Sequence, residues 1–306
     1  MDPRLAELRA LIARHKWNDH LFARLGLVCT MIAVLMLFAA ILDLFLDGYQ
    51  RLDGTFLTSY PSRHPERAGI LSSWVGSAVV MLVTMVSAVP LGVGAAIYLE
   101  EYADKNWLTN LIELNVTNLA GVPSIIYGLL ALGLFVHMLG LGETILSAGL
   151  ALALMILPMI IVATRESLRA VPVHIREAAY ALGATRWRMI SDHLLPYSMG
   201  GIMTGVIIGM ARAIGETTPL ITIGALTFIA FLPPPPITAE PPFLSVDWLM
   251  SPFTVLPIQM FNWISRPESA FHVNAAAAGV VLMIMTLLMN GFAIYLRYQI
   301  RKKIKW

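Results

Sequence analysis

Arg212 and Glu216 stand four residues apart in a stretch, Gly200 to Ile229, that is otherwise apolar enough to cross a bilayer. Insertion scales put a charge at the centre of a spanning helix at roughly 2.5 to 3.5 kcal/mol, so such residues come first among candidates for function. A guanidinium in a low-dielectric passage offers two parallel hydrogen bonds to an oxyanion. A carboxylate four residues on can pair with it when the anion is absent. The chemistry is oxyanion binding, or else a structural ion pair that holds helices together. Thr217, Thr218 and Pro219 follow at once. Proline frees the carbonyl of Gly215, and threonine hydroxyls can bond the broken ladder or line a polar path.

The element that positions this pair is a helix. At about 100° per residue, Gly201, Gly205, Gly209, Arg212 and Glu216 share one stripe roughly 80° wide. Glycines four apart let a second helix come close, so the charges are expected to face a protein interior and not lipid. The 306 residues are 58% hydrophobic and only 13% charged. A soluble chain would carry about 25% charged residues. The mean hydropathy of +0.73 agrees with a polytopic, all-α membrane protein. Cys29 is the only cysteine, which excludes an internal disulfide, and it is read as a packing residue in the first apolar run.

Six spans are expected from apolar runs of about 20 residues. They are Leu25–Leu42, Ser72–Leu99 with a kink at Pro90, Asn115–Leu139, Thr144–Thr164, Gly200–Ile229 and Val273–Leu296. Ahead of them, Leu5, Leu8, Leu11 and Ile12 share a face among Arg4, Arg9, Arg14 and Lys16. That pattern is a surface helix or a solvated terminus, leading into an uncleaved anchor. Glu100 to Glu113 is a polar connector. With six spans, the basic groups around residues 4–24, Lys105, 165–188 and 297–305 share one side, which the charge rule makes cytoplasmic, as it does both termini. The loop 231–271 is then external. Its prolines favour extended chain, and its apolar residues, Trp248, Phe253 and Trp263 among them, suit a re-entrant segment, a cover or interfacial anchors.

Between spans four and five, Pro172 opens a helix over Ile175–Leu182, Gly183 ends it, and Thr185 starts a second helix that runs to Leu194 before Pro196. Such a surface suits docking on a soluble partner or is a plain connection. Glu177-Ala178-Ala179, Gly183 and Leu195-Pro196 resemble the EAA motif of ABC importer permeases, with His193 where that motif usually has isoleucine. Arg212-Ala213-Ile214-Gly215-Glu216-Thr217 and Phe253 to Gln259, with Trp263 and Pro267, resemble the phosphate permeases of PstA type.

The resemblance implies a type I importer permease fold. It implies a cytoplasmic loop, 165–196, that couples to an ATP-binding cassette ATPase dimer through Glu177, Ala178, Ala179, Gly183, Arg186, Leu195 and Pro196. It also implies a second permease of PstC type, an external phosphate-binding protein and inorganic phosphate as cargo, in a bacterial plasma membrane. Phosphate keeps an O–H that an ionised Glu216 could accept, whereas sulfate has none. The chain divides into a terminal segment (1–20), the first span and outer loop (21–71), a permease core (72–299) and a basic tail (300–306). Glycine never precedes lysine, so there is no Walker loop for ATP. No cofactor, metal cluster or nucleic-acid contact is expected beside the lipid. Permeases for sulfate, molybdate or tungstate, and a scaffold that transports nothing, are the remaining readings; a membrane-embedded enzyme would need a nucleophile that the pair lacks.

Overall fold

Hydrocarbon offers no partner to a backbone amide, so each long apolar run must satisfy its own hydrogen bonds, and here it does so as helix. A computed structural model describes residues 3–237, 243 and 245–303, the side chains of 3–14, 301 and 303 excepted. The helices are α1 (Pro3–Gly48), α2 (Gly54–Thr58), α3 (Leu71–Ile97), α4 (Trp107–Leu119), α5 (Ser124–Ala131), α6 (Ile145–Arg169), α7 (Val173–Ala181), α8 (Arg186–Met189), α9 (Leu195–Gly215), α10 (Thr218–Ile223), α11 (Leu256–Ile264) and α12 (Ser269–Lys303). Five are long and apolar enough to span, one of them α8 and α9 joined, and α4 with α5 makes a sixth candidate. The expected faces of Leu5, Leu8, Leu11, Ile12, Arg4, Arg9 and Arg14, the loop residues Pro241, Pro242 and Leu244, and the charges of Arg301, Lys303 and Lys305 lie outside what is described.

Helix α1 has no break at residue 20, where a separate terminal segment was expected. No proline or glycine stands between Pro3 and Gly26 to interrupt it. Its most apolar stretch is wholly unburied by the rest of the chain, and Cys29 is exposed there instead of packed. Near its end, Gly48 lies against the backbone of Ala276 and Ala277 on α12. Asp53 then caps α2, accepting from the Phe56 N–H at 2.6 Å, and that bond holds its carboxyl below the usual range.

The third and fifth spans depart from expectation. Asn115–Leu139 is not one helix: α4 and the run from Ser124 to Met138 meet at 109°. Pro123 has no N–H to give and drives Val122 away from helical geometry, so an unbroken apolar run still turns. The fifth span is helical only to Gly215, leaves helical geometry at Glu216 (ψ 128°) and restarts as α10, which Gly224 ends at φ +99°. At its other end it begins early. A π-helical turn, Ile190–Leu194, joins α8 to α9, making one rod of 30 residues from Arg186 to Gly215. The second loop helix therefore does not stop before Pro196. That proline falls in the first turn of α9, where the shifted π register absorbs its missing N–H.

The core forms where α6 lies between α3 and α9. Gly149 admits Val83 of α3, and Leu152, Ile156 and Ile160 are buried. Pro90 stays inside α3 without ending it. The segment from Phe253 through α11 folds back into the bundle: Phe253, Val255, Leu256, Ile258 and Trp263 are all buried. This part of the loop is therefore packed on the bundle and not a solvated connection. The Leu256 N–H donates to Ser77 Oγ of α3 at 2.9 Å. The Gln259 amide donates to the Thr227 carbonyl at 3.1 Å and accepts from Trp263 Nε1 at 3.0 Å, so both ends of this buried amide are paired.

Candidate functional site

Arg212 sits in the last turn of α9, where the exposed carbonyl end of a helix favours a cation. Its Nε lies 3.4 Å from Glu216 Oε1. Glu216 is one residue past the helix, so the contact comes from a chain that turns back and not from a continuous helical face. Among the described residues Glu216 is the only ion-pair or hydrogen-bond partner of Arg212, which leaves the two terminal nitrogens of the guanidinium uncommitted. The Arg212 side chain is 37% exposed and that of Glu216 19%. The pair is thus only partly enclosed by this chain. Thr217 opens α10, its carbonyl accepting from the N–H groups of Leu220 and Ile221, and Thr218 is exposed. Pro219 breaks no continuing ladder, because α9 has already ended; it presses on Gly128 of α5 instead.

The glycines of α9 face α6. Gly201 meets Ser167 and Gly205 meets Ala163 so closely that neither position has room for a Cβ. Gly209 is in ordinary contact with Ile156, at 3.6 Å from where a Cβ would be. The stripe therefore holds α9 to α6, and Arg212 opens beyond that contact.

Helix α7 stands at the end of the bundle where α6 finishes and α8 begins. Glu177 and Ala178 are exposed on it, whereas Ala179 is buried with Leu168, Val171, Met189, Ile190 and Leu194. Gly183 takes φ +80°, a left-handed turn that only glycine adopts freely. Thr185 then caps α8 by accepting from the Arg188 N–H. Val173, Tyr180, Leu182 and Trp187 leave apolar surface outside. The π turn settles the odd histidine: Leu194 is buried and His193 exposed, so the core position falls one residue later. Leu195 and Pro196 carry the chain on into α9.

One cluster was not foreseen. Residues 100–102, in the π-helical turn after α3, grip three elements in succession. Glu100 pairs with Arg169 at 2.9 Å and Arg165 at 3.4 Å, both at the end of α6. Glu101 pairs with Arg176 of α7 at 2.9 Å. The Tyr102 ring lies under the Arg186 guanidinium of α8, 5.4 Å from its centroid. Arg165 is buried and also forms an ion pair with Glu113 of α4, outside hydrogen-bond geometry. Arg176 donates as well to the carbonyls of Val171 and Leu168. In sequence these arginines read as charges that set orientation; the one signal available was an acidic doublet, Glu100-Glu101, closing a span.

Five to six candidate spans, one of them broken and charged, define a multi-pass membrane protein. The chain belongs to the family of binding-protein-dependent transport system inner membrane components, whose profile matches residues 88–305. It is 34% identical over 275 residues to the phosphate transport system permease protein PstA of Yersinia pestis, covering 87% of this chain and 86% of that one. A probable ABC transporter permease of Bacillus subtilis, YqgI, is 30% identical over 294 residues, 94% of this chain and 98% of its own length. The fold resembles a chain in the crystal structure of a bacterial alginate ABC transporter in complex with an alginate-bound periplasmic protein. The TM-score is 0.65 at 13% identity, over 93% of this chain and 96% of that one. This is a multi-pass permease of an ABC importer, of PstA type.

Proposed function

We propose that this chain is one of two permease subunits of an ATP-driven importer of inorganic phosphate, with Arg212 binding the anion. The observation that carries the reading is the state of Arg212: one long ion pair, two free guanidinium nitrogens, and a place at the end of a rod that begins beside α7. Phosphate takes the terminal nitrogens in a bidentate contact. Glu216 accepts a hydrogen bond from the P–OH group, a donor that sulfate lacks. Thr217 and Thr218 line the same opening. The side of the pair left open by this chain faces a second permease, of PstC type, so that the passage lies between the two.

The end of the bundle with α7 is cytoplasmic, as are both termini, in a bacterial plasma membrane. There Glu177, Ala178, Ala179, Gly183 and Arg186 dock on an ATPase dimer, and Leu195 and Pro196 transmit its movement into α9. An external binding protein delivers phosphate at the opposite side. The likeness to relatives named for phosphate transport supports the cargo. The test is ATP-dependent uptake by the co-expressed complex in proteoliposomes, phosphate against sulfate. Arg212→Ala should lower phosphate uptake by about tenfold or more, the loss of a charge-assisted contact, with the complex still assembled. Uptake unchanged in that variant overturns the role of Arg212, and a wild-type preference for another oxyanion overturns the cargo.

A further inference from the structure

We infer that an anionic phospholipid occupies a built site between α3, α9 and α12, its acyl chain in a methionine-lined cavity and its headgroup on Arg297. The cavity measures about 350 Å³ and six methionines surround it: Met81 and Met85 from α3, Met203 and Met210 from α9, Met285 and Met289 from α12. Thioether side chains are unbranched and polarizable, so they conform to a flexible hydrocarbon chain better than a wall of branched residues does. Asn290 is the single polar side chain in the lining. The cavity lies among three candidate spans, whose apolar stretches are long enough to cross the hydrocarbon of a bilayer.

Charge at one mouth selects the lipid. Leu296 lines the cavity, and Arg297 follows it on α12; Met203 lines it from the other side, and Thr204 follows on α9. Arg297 Nη1 donates to Thr204 Oγ1 at 2.8 Å, which ties α12 to α9 one residue past a lining position on each helix. No acidic residue occurs in α12 or in α9, and no carboxylate pairs with Arg297 among the described residues. The cation is therefore held by a neutral hydroxyl and has donors to spare for a phosphodiester. Lys302 lies farther along the same helix, exposed. A basic rim over an apolar cleft between spans matches an anionic headgroup with its chain directed inward. Because α9 begins at this end of the bundle, the lipid would touch the rod that carries Arg212.

The test uses the assembled, co-expressed complex in phosphatidylcholine vesicles doped with one of two photoreactive lipids. Both carry a diazirine in the acyl chain; one is phosphatidylglycerol, the other phosphatidylcholine. Adducts are mapped by mass spectrometry. Cavity residues, Met203 and Met289 among them, should be labelled about fivefold more by phosphatidylglycerol, the preference expected of one surface cation. Arg297→Gln should remove that preference and Arg297→Lys should keep it. Equal labelling by the two lipids in wild type, no labelling of the cavity, or a preference that survives Arg297→Gln each overturns the site. The wild-type comparison is decisive even where a variant does not assemble.

Discussion

Arg212 and Arg165 are both arginines on spanning helices, and their surroundings sort them. The Arg165 side chain is 6% exposed and meets two glutamates, whereas that of Arg212 is 37% exposed and meets one, at 3.4 Å. A buried cation with its charge matched on two sides serves structure, because taking away either partner strands the other. A half-open cation with one loose partner can exchange that partner for a ligand. Under the proposed function, Glu216→Gln should leave the complex assembled and still able to take up phosphate, but sulfate should compete several-fold better, since the amide no longer requires an O–H from the anion. Competition uptake measures this; selectivity equal to wild type would reduce Glu216 to a mere counter-ion. The charged pair was legible in sequence because two charges interrupt an apolar run. Its true geometry was not, because hydropathy is blind to a helix that ends between Arg212 and Glu216.

At the scale of elements, the contact between α6 and α9 rests on absent side chains. Gly205 touches Ala163 with no space for a Cβ, so Gly205→Leu must drive the helices apart. Overpacking of this kind costs about 1 to 3 kcal/mol. The expected outcome is a lower thermal midpoint for the detergent-solubilised complex, with Gly209→Ala tolerated better because its neighbours stand at ordinary distance. The periodic glycines announced a close helix pair but not which pair. The turn of 109° between α4 and α5 was hidden in the same way, since Gly121-Val122-Pro123 reads as a tolerable interruption when only apolar content is counted. The buried stretch around α11 was ambiguous for a related reason. Phe253 to Trp263 has the composition of a core, yet partners distant in sequence, Ser77, Leu226 and Thr227 among them, decide where it lies.

Over the whole molecule, the chain is knit at one end by contacts that span 65 to 75 residues, from Glu100 and Glu101 to Arg165, Arg169 and Arg176. No local periodicity encodes such pairs, which is why they escaped a reading of sequence that found the helices they join. Glu101 and Arg176 are 9% and 18% exposed, so their coupling should be measurable. A double-mutant cycle of Glu101→Gln and Arg176→Gln should return about 0.5 to 3 kcal/mol by thermal unfolding, and the single variants should weaken ATPase-coupled uptake more than phosphate binding. The rod from Arg186 to Gly215 has a mechanical consequence as well. At 1.5 Å per residue, Arg186 lies about 28 Å and Arg212 about 10 Å from Gly205. With the close contact of Gly205 on Ala163 taken as fulcrum, the rod is an unequal lever: a tilt carries Arg212 the opposite way through about a third of the travel at Arg186, with about three times the force. Coarse motion at one end of the protein is geared down to fine motion at a guanidinium.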